Sequence, residues 1–401
     1  MELDITSKIL GATFVMAVIM GAVTNRTNFC TMGAVSDWVN MGDTGRFRAW
    51  LLTIAVALAG ALWVEWQDLF SFDDARIPYR HPTFAWPRYL LGGAMFGIGM
   101  TLAGGCGSKN LVRLGAGNFK SLFVVLIMGA CAYLMTRTDF YGIVFASWVT
   151  PISIDLAAAG IESQEISRVI ASFAGVEDVA MMRVIVGGIL LVLLLWVTIG
   201  SSALRSERDN VVAGVVIGAI IFGGWYLTGG PLGAEWIEAN DFADEPAAFV
   251  GIQSFTFVNP AGDIWAYAMS GADALMVTFG LVAVAGMIVG SFLYAVVSRG
   301  FRFEWFISGG DFVQHVIGAV LMGIGGVLGL GCTVGQGISG ISTMAVGSVL
   351  TMLAIVISSA LTMKVQYYKM LYEDASFGAA FITGLADLKL VPNSLRKFEA
   401  L

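Results

Sequence analysis

The sequence predicts an all-α polytopic membrane protein: about nine transmembrane helices with short re-entrant helices, built as an inverted repeat. Three observations predict it. The chain of 401 residues is 57% hydrophobic and 13% charged, with a mean hydropathy of +0.80, whereas a soluble domain carries roughly 25% charged residues. Apolar runs of about 20 residues recur, each long enough to cross roughly 30 Å of hydrocarbon. Finally, the frame LAGGCGSKN at 102–110 returns 226 positions later as LGLGCTVGQ at 328–336.

The spans follow in order at 8–24, 47–66, 87–104, 118–136, 179–200, 211–229, 274–297, 311–330 and 344–363. The amino terminus, MELDITSK, is acidic and makes a poor secretory signal, so the first run is read as a retained span. Residues 25–40 are amphipathic and too short to cross, which suits a re-entrant segment, and 104–115 and 331–343 are read the same way. The stretch 140–158 is broken by Pro151 and Asp155 and is expected as a half-span or interfacial helix, followed by a surface helix at 162–175. The chain then divides into a first repeat (1–136), a connecting region (137–210), a second repeat (211–370) with an acidic outer loop at 231–272, and a tail (371–401). An outer amino terminus and a cytoplasmic tail put about 15 of the 22 basic residues inside, as the positive-inside rule asks.

The repeat rests on LGGAMFGIGMTLAGGC (91–106) against IGAVLMGIGGVLGLGC (317–332), which share seven of sixteen residues without a gap. The orientation places the matching links 67–88 and 298–310 on opposite sides, hence an inverted repeat. In transporters such repeats set the substrate site near the midplane, at discontinuous helices.

Three cysteines carry the candidate site: Cys106 and Cys332 in the repeated frame, and Cys30 in NRTNFCTMG (25–33). Glycines around them let the backbone turn and approach a ligand. A helix that stops and restarts there turns amide groups and its positive end toward an anion. A thiol is soft, polarizable and a weak donor, suited to a sulfur-bearing ligand. A bare anion in hydrocarbon costs tens of kcal/mol in the idealised limit, and one helix end returns at most about 2 kcal/mol, so several must act in series. Supporting candidates are Asn25, Thr27, Asn28 and Thr31, then Gly105, Gly107 and Ser108, and Gly331, Thr333 and Gln336. Cys131, inside the smooth run LIMGACAYLM, is read as a packing residue, and Lys109 as a positive-inside anchor, the alternative being a residue that draws an anion inward. The net charge of −7, with no basic patch, points away from nucleic acid. With no CxxC and no zinc spacing, neither metal nor cofactor is expected.

The stretches GAVTNRTNFCTMGAVSDW (21–38), GGAMFGIGMTLAGGCGSKNLVRLG (92–115) and GAVLMGIGGVLGLGCTVGQGISG (318–340) resemble the YeeE/YedE sulfur-transport family. The resemblance implies a bacterial inner-membrane importer of thiosulfate, not an enzyme, in which Cys30, Cys106 and Cys332 pass the ion through the constriction. It also implies other sulfur or selenium species as alternative cargo, and a small cytoplasmic sulfur-carrier (TusA-like) protein as partner. Segments 139–178 and 231–272 look like additions to the shorter members, and an acidic outer loop helps an anion only if it folds away from the mouth. The competing function is a membrane thiol–disulfide oxidoreductase, which needs a close cysteine pair; the nearest in sequence, Cys106 and Cys131, are 25 residues apart.

Overall fold

The computed structural model describes residues 4–399 except 373 and 375. Among these, nine helices are long and apolar enough to cross a membrane. They are α1 (Ile5–Thr27), α3 (Gly45–Trp66), α4 (Trp86–Leu102), α6 (Lys120–Arg137), α8 (Val179–Ile199), α9 (Arg208–Gly229), α12 (Phe279–Val297), α13 (Gly309–Leu328) and α14 (Val346–Leu371). Shorter helices lie between and after them: α2 (Thr31–Ser36), α5 (Gly107–Gly115), α7 (Ile166–Ala174), α10 (Pro231–Asp241), α11 (Asn259–Met269) and α15 (Phe377–Asp387). The protein is a multi-pass membrane protein.

The starts of several helices are set by side-chain caps, each satisfying a free amide of the first turn. Asp178 accepts from Met181 N, Thr278 from Leu281 N, and Ser308 from Asp311 N. The Thr278 cap explains why α12 begins at Phe279 and not at 274, because Asp273 has already closed a separate turn over Ala274–Met276.

The packing repeats itself. In the first half, α1 packs on α12, α2 on α3, α4 on α14, α6 on α11, and α5 on α1, α6 and α12. Exchange α1 for α9, α2 for α11, α3 for α12, α4 for α13, α5 for the turn Gly335–Gly340 and α6 for α14. Each contact then maps onto another that is present: α9 on α3, α11 on α12, α13 on α6, α14 on α2, and the turn on α9, α14 and α3. This is the pattern a two-fold repeat produces. Five spans start before α9, so partners run in opposite directions if every span crosses. The halves meet at α4 and α13, where glycines bring the backbones together. A Cβ on Gly99 would stand 2.6 Å from Gly318 O, and one on Gly92 2.3 Å from Gly329 N. In lipid, such close approach through small residues drives helix association.

Residues 140–158 contain the short apolar helical stretch Gly142–Ile152, as a half-span or interfacial helix would, and then a strand that was not expected, Ile154–Asp155, which pairs antiparallel with Thr83–Phe84. The connecting region is a strap: Ile166 N bonds Met344 O (2.9 Å), Val346 N bonds Gln164 O (3.0 Å), and Gly347 N bonds Gln164 Oε1 (3.1 Å). Only the first part of 231–272 is acidic and largely exposed, and it is mostly the helix α10. Ile252–Val258 is buried, and α11 takes the place in the second half that α2 holds in the first. The stretch QSFTFVNPAG escapes span detection because it is short and half polar.

Candidate functional site

The three sequence-predicted cysteines occupy one kind of local structure. A long helix ends, one residue turns left-handed, and two residues later a cysteine caps a new helix. The left-handed residues are Asn28 (φ +52°), Gly104 (φ +68°) and Leu330 (φ +63°). Cys30 caps α2 and Cys106 caps α5, while Cys332 precedes the helical residues 333–342. At the two repeated frames the turn closes identically, with Gly105 N on Met100 O (2.8 Å) and Gly331 N on Gly326 O (2.7 Å), the bond that ends a helix in a Schellman motif. Leu330 adopts at some cost what Gly104 adopts freely, since an L-residue loses about 1–2 kcal/mol in that region.

All four cysteines are free, and the three motif cysteines are 5%, 1% and 0% exposed in chain order. The Cys106 thiol lies near the Cys30 thiol and the Thr333 hydroxyl and 3.3 Å from Ser108 Oγ. Cys332 Sγ accepts from Gly335 N (3.4 Å) and lies 3.9 Å from Thr256 Oγ1. Thr31 Oγ1, Thr333 Oγ1 and Gln336 Oε1 are buried without a protein partner. Such orphaned groups are rare in a protein interior; these three sit within four residues of a motif cysteine, while others, such as Trp225 Nε1 and Ser348 Oγ, lie elsewhere. Burial and the neighbouring Cys332 push the Tyr79 phenol well up, so it stays a neutral donor near the start of the second re-entrant turn. The residues touching the thiols are therefore mostly donors, with no carboxylate among them.

Other candidates have structural duties. Asn25 Nδ2 bonds Ser291 O and Oγ (3.0 and 2.8 Å), tying α1 to α12, and Thr27 Oγ1 bonds Val23 O of its own helix. Gly105 O accepts from Asn110 Nδ2 (2.8 Å), and Gly107 opens α5 against Met128. Gln336 Nε2 bonds Gly329 O (2.6 Å), crossing the break in the second frame. Cys131 packs against Gly323 on α13, apart from the three.

A cavity opens toward each face. On the face where α1 begins, one of about 160 Å³ is walled by Arg76, Arg137, Thr256 and Asp263, with none of the acidic side chains of 235–245. On the opposite face, an open one of about 630 Å³ is walled by Arg26, Asn28, Arg46 and Asp209. Thr256 joins the first cavity to Cys332. Lys109 Nζ bonds Asn28 Oδ1 (2.9 Å) at the second and lies within electrostatic range of Cys30 and Cys106. Of the two roles weighed for Lys109, its place in the first turn of α5, three residues after Cys106, and its bond to Asn28 suit the drawing of an anion inward. Thr256 was missed because its segment carries no cysteine and no glycine frame. Among the described residues no group of three or more His, Cys, Asp or Glu is placed to hold a metal ion.

The family model described as sulphur transport matches residues 26–361. A protein named thiosulfate transporter TsuA from Escherichia coli strain K12 is 25% identical over 352 residues, covering 81% of this chain and 85% of that one. A protein of the same name from Spirochaeta thermophila is 23% identical over 342 residues, covering 82% and 91%.

Proposed function

The chain belongs to the sulphur-transport family, and from that premise we propose that it is a permease carrying thiosulfate inward along Cys332, Cys106 and Cys30. The observation that supports the proposal is three helix breaks of one kind, each with a buried cysteine at its restart, with Cys30 beside Cys106 and with one cavity on each of two opposite faces. The names of the two relatives support the cargo.

The physical case is one of desolvation. An anion leaving water must be met by donors at every step, since no single helix end compensates it. Cysteine sulfur is polarizable and a thiol donates only weakly, so each site holds a soft sulfur terminus without trapping it. Thr256, Ser108, Thr333 and Thr31 supply hydroxyl donors between the thiols. Lys109 draws the ion onward, and Arg26 and Arg46 line its exit. The face where α1 begins is periplasmic and the tail cytoplasmic in this proposal, from the distribution of Lys and Arg. A small cytoplasmic sulfur carrier would take delivery at the Arg26 mouth.

The test is flux into proteoliposomes of thiosulfate, sulfite, sulfate and selenite. Thiosulfate should enter fastest, and Cys106→Ala or Cys332→Ala should abolish entry while the protein still inserts. Unchanged thiosulfate flux in both variants ends the thiol-path proposal. One observation favours the competing oxidoreductase: Cys30 and Cys106, 76 positions apart, lie side by side. That function requires catalytic turnover of a dithiol substrate by the purified protein, and its absence would leave the permease.

A further inference from the structure

The cavity on the α1-start face contains an arrangement that the thiol line does not use. The guanidinium carbons of Arg76 and Arg137 stand 4.0 and 4.1 Å from the centroid of one ring, that of Phe249. Stacking occupies the face of a guanidinium and leaves its N–H edges free, and those edges match an oxyanion in two-pronged fashion. Arg137 spends one edge on Asp263 Oδ1 (3.3 Å), whose other oxygen accepts from Thr278 Oγ1 (2.9 Å). Arg76 has neither a carboxylate nor a side-chain hydrogen-bond partner among the described residues.

Phe249 itself holds a left-handed backbone (φ +65°), a conformation costly for a bulky residue and associated with functional sites. It is kept there by Gln253 Nε2 on Phe249 O (2.9 Å), while Arg76 N on Ile252 O (2.8 Å) ties the two segments together. The cavity of about 160 Å³ is well above what one water needs, and its wall includes Thr256, 3.9 Å from Cys332 Sγ. Two cations against one carboxylate leave the pocket net positive, although the loop outside it is acidic.

We propose that Arg76 and Arg137 form a capture site for a small divalent sulfur oxyanion, one step ahead of Cys332, with Phe249 orienting both guanidiniums. Asp263 is the resident competitor that keeps capture weak enough for release toward Thr256. The identity of the anion rests on the thiosulfate proposal above; the site itself rests on the geometry.

The experiment measures thiosulfate binding to the purified full-length protein by calorimetry, and the half-saturation concentration for flux in proteoliposomes. Arg76→Gln, which breaks no hydrogen bond or ion pair within the described residues and loses only the stacking on Phe249, should raise half-saturation about tenfold, the loss of one charge-assisted bond, with maximal flux nearly unchanged. Arg137→Gln should act in the same direction. Asp263→Asn should act in the opposite one, which general destabilisation would not do. Phe249→Ala should weaken binding and Phe249→Tyr restore it. Cys332→Ala should bind thiosulfate yet carry none. Half-saturation within twofold of the unaltered protein in both arginine variants, or binding lost with Cys332 alone, overturns the capture site. A protein that binds thiosulfate through the arginine pair but transports none sinks the permease proposal and leaves the site standing.

Discussion

Arg80→Leu should loosen the second re-entrant turn without touching a thiol. The Arg80 side chain is 1% exposed and makes two bonds to Glu65 (2.6 and 3.0 Å). It lies 3.6 Å from Glu165, and its Nε bonds Thr343 O (2.7 Å), just past the helical residues that follow Cys332. Arg183 also holds Glu165 (2.7 and 2.8 Å) and lies 3.4 Å from Glu65, so the substitution takes both hydrogen bonds from Glu65, which is 3% exposed, and leaves the two carboxylates sharing one guanidinium. Breaking a buried pair from one side costs up to about 3–5 kcal/mol, and the remaining Arg183 puts the cost toward or below the lower end. If all of that goes into local opening, the open fraction rises by up to roughly two powers of ten. The assay is the rate of maleimide labelling of Cys332 in a protein whose other cysteines are replaced. Glu65→Leu combined with Arg80→Leu should recover most of the protection, since replacing both partners by apolar groups is often neutral. Labelling within twofold of the unaltered protein would refute the idea that the strap holds the turn. The acid dependence has a definite sign. Burial pushes the Glu165 carboxyl up, but bonds and charge from Arg183 and Arg80 outweigh it and hold it below the usual range. Its contribution is therefore complete above roughly pH 4.3, the ordinary glutamate value, and is lost only as pH falls through the lower folded value.

Gly99→Val should prevent assembly of the α4–α13 crossing, because its Cβ would stand 2.6 Å from Gly318 O; a monodisperse, normally active variant on size-exclusion chromatography would contradict the close packing. Diamide, taking up two hydrogens as Cys30 and Cys106 join in a disulfide, should block flux until a thiol reductant restores it. Cys30→Ala should already be slow and gain no further inhibition from the oxidant, whereas Cys131→Ala should behave as the unaltered protein in flux and in oxidant response. Inhibition that persists in Cys30→Ala would place the reactive pair elsewhere.

Much of the fold was legible because lipid imposes a simple rule: apolar segments of one length must be helices. The expected spans 47–66, 118–136 and 179–200 end within two residues of α3, α6 and α8. The repeated GC frame was legible because a helix break needs glycine and a short turn, and both leave marks in composition. The counterpart of the first re-entrant segment was not. Around 252–262 the second half performs the same packing with Thr256 and Pro260 where no cysteine or glycine run announces it. Packing constrains volume and depth, which many residue types satisfy. Polar residues near a break serve different ends that the sequence does not separate: Asn25 ties α1 to α12, while Thr27 lines the second cavity.

By itself the sequence determined the membrane class, the nine apolar helices, the two repeated breaks and the three thiols at the breaks, since all of these follow from hydropathy and local backbone chemistry. Only the tertiary structure decided that Cys30 adjoins Cys106, that Thr256 meets Cys332, that Lys109 bonds Asn28, and that two arginines 61 positions apart stack on one phenylalanine. Those are contacts between segments far apart in the chain, set by how helices cross, and a one-dimensional pattern carries no record of crossing.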